Sequence, residues 1–107
     1  MRTVPERLVS EQAVELHLCA TVKAAGGLCI KLNPFSMRGI PDRLVLMPGG
    51  MLVFVELKKP KGSKFEPLQE RWHDKLRTLG FIVSVCYTKQ QATALVEQAC
   101  SSCPSAT

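Results

Sequence analysis

Three ionisable residues stand at the ends of the two most strand-like segments of this 107-residue sequence. In the stretch IPDRLVLMPGGMLVFVELKKPKG (residues 40–62), Asp42 opens the first apolar run, and Glu56 and Lys58 end the second. A Pro-Gly-Gly turn at residues 48–50 separates the two runs, so a β-hairpin would bring Asp42 and Glu56 side by side. Because side chains alternate along a strand, Glu56 and Lys58 would point to the same face.

This trio is suited to phosphate chemistry. Two adjacent carboxylates repel each other unless a cation lies between them, and Mg²⁺ is normally held by one or two carboxylates with water and substrate phosphate. A lysine beside the cation can hold a hydroxide or stabilise charge that develops on a phosphate. Each residue alone is also typical of a solvated strand end. Glu56, however, lies within the apolar run MLVFVEL, where an unpartnered carboxylate is costly.

The rest of the sequence supplies the elements that would position these residues. The element boundaries are predicted from hydrophobic periodicity and from three end signals: a Ser10 N-cap, Pro67 in a first helical turn and Gly80 after a helix end. The predicted elements, in chain order, are a helix at about 10–25, strands at 28–32, 42–47 and 51–58, a helix at about 67–79, a strand at 81–87 and a helix at about 88–99. The order α-β-β-β-α-β-α predicts a single α/β domain over residues 1–107 that frays after about residue 100.

Burial can be predicted from the same patterns. The near-continuous apolar content of the hairpin predicts a sheet that is covered on both faces. His17 and His73 lie on helices among charged neighbours, which favours solvated or hydrogen-bonded surface positions. The residues at helical spacing that should face the core are Val14, Leu18, Val22 and Ala25 in the first helix and Leu68, Trp72, Leu76 and Leu79 in the second.

The charge balance indicates a polyanionic partner. The formal net charge is +5 with a pI near 9.1, and Lys58, Lys59, Lys61 and Lys64 follow Glu56 without an intervening acid. Such a cluster is either a solvated loop or a rim that contacts phosphates. No apolar run approaches 18 residues and the N-terminus lacks a signal-peptide core, so we expect a soluble, cytoplasmic protein without a membrane span.

The five cysteines give little sign of a metal or redox site. Cys19, Cys29 and Cys86 lie inside apolar patterns, which predicts that they are small core residues. Cys100 and Cys103 form a CxxC in a Ser-rich tail, but the sequence offers no second metal half-site.

The site and its surroundings together resemble a known nuclease family. PD at residues 41–42, thirteen intervening residues and ELK at residues 56–58 resemble the PD-(D/E)XK nuclease signature. The flanking segments VEL, VKAAGG, IKL, RGIPDRLVL, LQERWHDKLRTLGF and VSVCYTKQQA resemble the VRR-NUC family, from near the N-terminus to about Ala94. The likeness is to compact stand-alone members from phages and bacteria. It implies a restriction-endonuclease-like core with a mixed sheet flanked by helices.

The resemblance implies roles for the residues of the hairpin. Asp42 and Glu56 would be metal ligands, together with the main-chain carbonyl of Leu57. Lys58 would orient the attacking water and help to deprotonate it. The metal would be Mg²⁺, for which Mn²⁺ should substitute.

Two helical residues complete the implied site. Glu15 would be the helical acid that reaches the metal directly or through water, although Glu11, one turn earlier on the same face, is an alternative. Gln69 would position Lys58 or the water. The expected DNA contacts are Lys31, Arg38, Lys59, Lys61 and Lys64, although for Lys31 and Arg38 a plain surface position fits the sequence equally well.

The implied activity is metal-dependent, structure-specific endonucleolytic hydrolysis of phosphodiester bonds in DNA. Stand-alone members resemble homodimeric resolvases of four-way (Holliday) junctions, whose two-fold symmetry suits a two-fold dimer. Flap or nicked-duplex cleavage by the same chemistry is one alternative. A catalytically inactive DNA-binding or assembly module is another, and a plain α/β interaction domain is a third. A degenerate module would be expected to lack at least one of Glu15, Asp42, Glu56, Lys58 and Gln69, and the sequence contains all five.

Overall fold

Helices and strands follow one another in the order α-β-β-β-α-β-α, which confirms the prediction. The computed structural model describes residues 9–32, 37–59 and 64–102. The elements are α1 (Glu11–Ala24), β1 (Leu28–Lys31), β2 (Arg43–Met47), β3 (Met51–Leu57), α2 (Pro67–Thr78), β4 (Ile82–Cys86) and α3 (Lys89–Ser102). As predicted, α1 is capped by Ser10, whose Oγ accepts a hydrogen bond from the Ala13 amide at 3.0 Å.

The strands of these described segments form one mixed sheet in the order β1-β2-β3-β4. The β1/β2 and β2/β3 pairs are antiparallel, whereas β3 and β4 are parallel. In the β2–β3 hairpin Arg43 pairs with Val55. This register places Asp42, directly before β2, opposite Glu56. The hairpin therefore juxtaposes the two carboxylates through backbone pairing alone.

One face of the sheet is closed by α1 and α3. Val45 on β2 and Val55 on β3 are fully buried between the sheet and these helices. The buried side chains of this core are Val14, Leu18, Val22, Val45, Met47, Val53, Val55, Leu57, Cys86, Ala92, Val96 and Ala99. The set includes Val14, Leu18 and Val22 of the four first-helix residues predicted to face the core, and the fourth, Ala25, is the partly buried C-cap of α1. Burying each Val or Leu side chain contributes about 1.5–3 kcal/mol, so this layer supplies most of the apolar stabilisation.

The other face is covered only in part. The hairpin strands, for which two covered faces were predicted, are half-buried on this face at Leu44, Leu46, Leu52 and Phe54, whereas β1 is more exposed. Leu28 and Ile30 point away from α1 and are 62% and 41% exposed. The reason is that α2 packs over the β3–β4 side, where Arg77 Nη2 donates to the Val83 carbonyl at 3.0 Å and Phe54 meets Phe81 edge to face. The predicted apolar face of α2 is also only partly buried: Leu76 is buried, Trp72 is half-buried, and Leu68 and Leu79 are exposed.

The cysteines and the α1–α3 contact complete the fold. Cys86 is buried in the core, whereas Cys19 and Cys29 are half-buried and join α1 to β1 with their Sγ atoms 3.1 Å apart. Cys100 is exposed, and Cys103 lies outside the described residues. His17 Nε2 and Thr93 Oγ1 form a 2.8 Å hydrogen bond between α1 and α3. Within the described ranges, no helix has the length and apolarity needed to span a membrane.

Candidate active site

Asp42 and Glu56 form a carboxylate pair beside the end of β3. Asp42 Oδ2 accepts a hydrogen bond from the Leu57 amide at 2.8 Å, which holds the aspartate against the strand that carries Glu56. Glu56 is 2% exposed. Burial, a hydrogen bond with the Asp42 side chain and the Asp42 charge raise the pKa of Glu56 to about 9. Without a cation, the pair therefore retains a proton near neutral pH.

Lys58 is held on the same face by the start of α2. Its Nζ donates to Gln69 Oε1 at 2.8 Å and to the Lys64 carbonyl at 3.1 Å, and it lies 5.0 Å from the centroid of the Phe65 ring. Gln69 Oε1 also accepts from the Glu66 amide at 3.1 Å, within a capping box that begins α2. The structure thus brings Lys58 and Gln69 into direct contact. The Gln69 side-chain amide is held in place by the Glu66 amide at the start of α2.

The helical acids occupy different environments. Glu15 Oε2 accepts from Arg43 Nε at 2.7 Å, and Arg43 projects from β2 on the face opposite Asp42. Glu11 interacts electrostatically with the hairpin residues. Burial and the Asp42 charge raise the pKa of Glu11, and the Lys58 charge opposes that rise. The structure therefore brings Glu11 into electrostatic contact with the hairpin site and places Glu15 in an ion pair.

His73 is a site neighbour that sequence reasoning missed. It is 4% exposed, so its predicted surface position is wrong. Its Nε2 lies 3.6 Å from Glu56 Oε1, and its ring packs edge to face on Phe65 at a centroid distance of 5.5 Å. Burial and the nearby Arg77 and Lys58 charges lower the pKa of His73. The available signal was its spacing, since His73 is four residues after Gln69 and so shares its helix face.

The residues expected to contact DNA lie at the surface where the structure describes them. Lys31, Arg38, Lys59 and Lys64 are all exposed. Lys31 ends β1, the main chain of Arg38 accepts a hydrogen bond from Trp72 Nε1 at 2.9 Å, and Lys59 follows β3. Lys61 lies outside the described residues.

The donor atoms at the hairpin fit a hard divalent cation. Asp42 and Glu56 are adjacent carboxylates in the described part of the chain, and burial together with the Asp42 charge raises the pKa of Glu56, a rise that a cation between the two would oppose. That part contains no cluster of three or more His, Cys, Asp and Glu side chains at metal-binding spacing. A ligand set of two carboxylates completed by main-chain and water oxygens suits Mg²⁺, which usually retains several waters.

Comparisons with known proteins identify a family, a relative and a solved structure that this chain resembles. The sequence profile of the VRR-NUC domain matches residues 2–90. A protein named "Putative nuclease p44", from Acyrthosiphon pisum secondary endosymbiont phage 1, is 40% identical over 89 residues, which are 83% of this chain and 95% of the relative. A solved structure described as a VRR_NUC domain superposes with a TM-score of 0.74 at 37% identity and covers 81% of this chain and 94% of its own.

Proposed function

Because this chain belongs to the VRR-NUC family and is a nuclease, we propose that it is a metal-dependent endonuclease that hydrolyses phosphodiester bonds in DNA. The observation that carries the proposal is the Asp42–Glu56 carboxylate pair, in which Glu56 is buried, with Lys58 anchored on the same face as Glu56. Two adjacent carboxylates repel each other, so without a cation the pair keeps a proton. A cation bound between them removes the repulsion and allows both to ionise.

The proposed metal ligands are Asp42, Glu56 and the main-chain carbonyl of Leu57. They would hold Mg²⁺, with Mn²⁺ as a substitute. When bound, the cation supplies Lewis-acid polarisation of a phosphate oxygen and lowers the pKa of a coordinated water. We assign the helical acid to Glu11 rather than Glu15, because Glu11 is partly buried and under the influence of the Asp42 and Lys58 charges, whereas Glu15 is held in an ion pair with Arg43.

Lys58 acts directly on the reacting groups in this proposal, and Gln69 positions it. The Lys58 ammonium orients the attacking water and stabilises negative charge as it develops on the phosphate. Its geometry is preset, because Gln69 Oε1 and the Lys64 carbonyl accept two of its three N–H bonds. Among the residues that the structure describes, no third acceptor contacts this ammonium group, and we assign its third N–H to the water or the phosphate.

Branched DNA is the proposed substrate, and a two-fold dimer the proposed assembly. The net charge of +5 and the exposed Lys31, Arg38, Lys59 and Lys64, with Lys61, support contacts to several phosphates. The exposed apolar side chains of Leu28 and Ile30 support burial against a second copy. A C2 dimer would present two active sites to a four-way junction. The proposed setting is the cytoplasm of a bacterium or a phage-infected cell.

Cleavage assays test this function. Labelled four-way junction, flap, nicked duplex and linear duplex are incubated with the wild-type chain in Mg²⁺, Mn²⁺ or EDTA. We expect metal-dependent cutting that favours the junction. We also expect a loss of about 10²-fold or more in Asp42→Asn and Lys58→Ala, since each removes a group that acts on the reacting centre. Lys23→Ala, an exposed lysine in the last turn of α1, is the control.

The outcomes separate the parts of the proposal. Absence of metal-dependent cutting on every substrate would refute the endonuclease and favour an inactive DNA-binding or assembly module. Equal cutting of all substrates would refute only the junction preference, and preferential cutting of flaps or nicks would identify the alternative substrate. Sedimentation of the wild type and of Ile30→Lys tests the dimer, which the added lysine on β1 should dissociate.

A further inference from the structure

Two buried polar atoms face each other behind the carboxylate pair. Among the residues that the structure describes, Glu56 Oε1 and His73 Nε2 are the buried side-chain nitrogen and oxygen atoms without a hydrogen-bond partner. They lie 3.6 Å apart on side chains that are almost fully buried. Unpaired buried polar atoms are costly, and here one can donate and the other can accept. A shift of less than 1 Å would join them.

We propose that His73 is a positioning residue for the carboxylate of Glu56. Its Nε2–H donates to Oε1 of the ionised carboxylate, which leaves the second carboxylate oxygen to face the cation beside Asp42. The inference rests on the proposed function, because the bond acquires its role when Glu56 is a metal ligand. Such outer contacts orient a ligand and set its basicity without touching the metal.

The geometry of α2 against β3 supports this assignment. Gln69 contacts Lys58 and His73 contacts Glu56, so the helix runs antiparallel to the strand with two matched contacts. Four residues of helix rise about 6 Å, and two residues of strand span about 6.7 Å. The two spacings agree, so residues on one face of α2 can contact Glu56 and Lys58 at the same time.

Phe65 restricts how the imidazole can move. Its ring meets His73 edge to face at 5.5 Å and lies 5.0 Å from Lys58 Nζ. The same aromatic ring therefore packs against both the lysine and the histidine. This confinement keeps Nε2 directed at Glu56 and distinguishes His73 from a histidine that merely fills space.

The test compares a donor with an isosteric non-donor at position 73. In His73→Gln the amide nitrogen occupies nearly the place of Nε2 and can still donate, whereas His73→Phe keeps the volume without a donor. Mn²⁺ binding is measured by calorimetry, and cleavage gives kcat and KM on the substrate that the wild type cuts best. We expect His73→Phe to lose about 10–100-fold in Mn²⁺ affinity, to lose kcat with little change in KM, and His73→Gln to recover most of both.

Controls make the result decisive. His17→Phe removes the other histidine, which pairs with Thr93 on α3, and should bind Mn²⁺ like the wild type. If His73→Phe does not fold, His73→Met provides another side chain without a donor. Wild-type Mn²⁺ affinity in the non-donor variant would overturn the role of His73 and leave the proposed function intact. A wild-type protein that neither binds Mn²⁺ nor cuts DNA would overturn both.

Discussion

Replacing Glu56 by glutamine should stabilise the metal-free protein above about pH 5, although it removes a proposed metal ligand. The pKa of Glu56 is raised to about 9 in the folded chain from an ordinary value of 4.5, because the carboxyl is buried against Asp42. The unfolded chain therefore releases this proton at a much lower pH than the folded chain. The stability associated with the protonated carboxyl is complete below pH 4.5 and is lost as the pH rises toward 9. Because glutamine does not titrate, the Glu56→Gln variant does not lose this stability as the pH rises.

The size of the effect follows from the same two values. Within the window between them, each pH unit lowers the free energy of unfolding by up to about 1.4 kcal/mol. Between pH 5 and pH 7 the wild type should therefore lose roughly 3 kcal/mol, at most, relative to Glu56→Gln. A difference of that size is a large share of the 5–15 kcal/mol, roughly, that stabilises a typical domain.

Urea denaturation in EDTA at pH 5, 6, 7 and 8 measures this effect. The difference in free energy of unfolding between Glu56→Gln and wild type should grow steadily with pH, and saturating Mg²⁺ should reverse it by stabilising only the wild type. Glu70→Gln, which neutralises an exposed acid in the first turn of α2, should show no such growth. A difference that stays constant from pH 5 to pH 8 would refute the reasoning, because Glu56 would then be ionised in the folded protein.

Two further predictions concern the supports of the site. Glu11→Gln should lower Mn²⁺ affinity and cleavage by about 10-fold or more. Glu15→Gln should chiefly lower the melting temperature, because it breaks the ion pair with Arg43. A larger loss of Mn²⁺ affinity in Glu15→Gln than in Glu11→Gln, measured by calorimetry, would assign the helical acid to Glu15. Gly39→Ala should destabilise by about 1–3 kcal/mol and reduce cleavage, since φ is +88° and a Cβ would lie 2.7 Å from the main-chain carbon of Leu68 at the start of α2. Gly80→Ala, with φ +97° but no atom within 4 Å, should be destabilised less and cut normally in the same urea and cleavage assays.

The hairpin could be predicted from the sequence because its contacts are local. A Pro-Gly-Gly turn sets the register, and the register alone brings Asp42 opposite Glu56. Strand alternation then puts Lys58 on the same face as Glu56. The helix-to-strand contact of Gln69 with Lys58 was implied by family resemblance rather than by spacing, because nothing in the periodicity of α2 fixes where that helix crosses the sheet.

The remaining site features depend on contacts between distant segments. Glu11 and Glu15 share one face of α1, and what separates them is Arg43, which lies 28 residues after Glu15. His73 has charged neighbours on both sides, and helical periodicity gives the direction of a side chain rather than its depth. The exposure of Leu28 and Ile30 on β1 could not be predicted for a similar reason, because an apolar strand pattern does not show how far the covering helix extends.

Given the proposed role of Lys58, activity depends on the folding of the single helical turn that forms the capping box of α2. Gln69 Oε1 accepts from both the Glu66 amide and Lys58 Nζ, so fraying of that turn releases the lysine although the core beneath α1 and α3 stays closed. Helix ends open locally at a much lower free energy than global unfolding. Activity should consequently decline with temperature well below the melting transition, and the rate of amide hydrogen exchange in this turn would follow the inactive population.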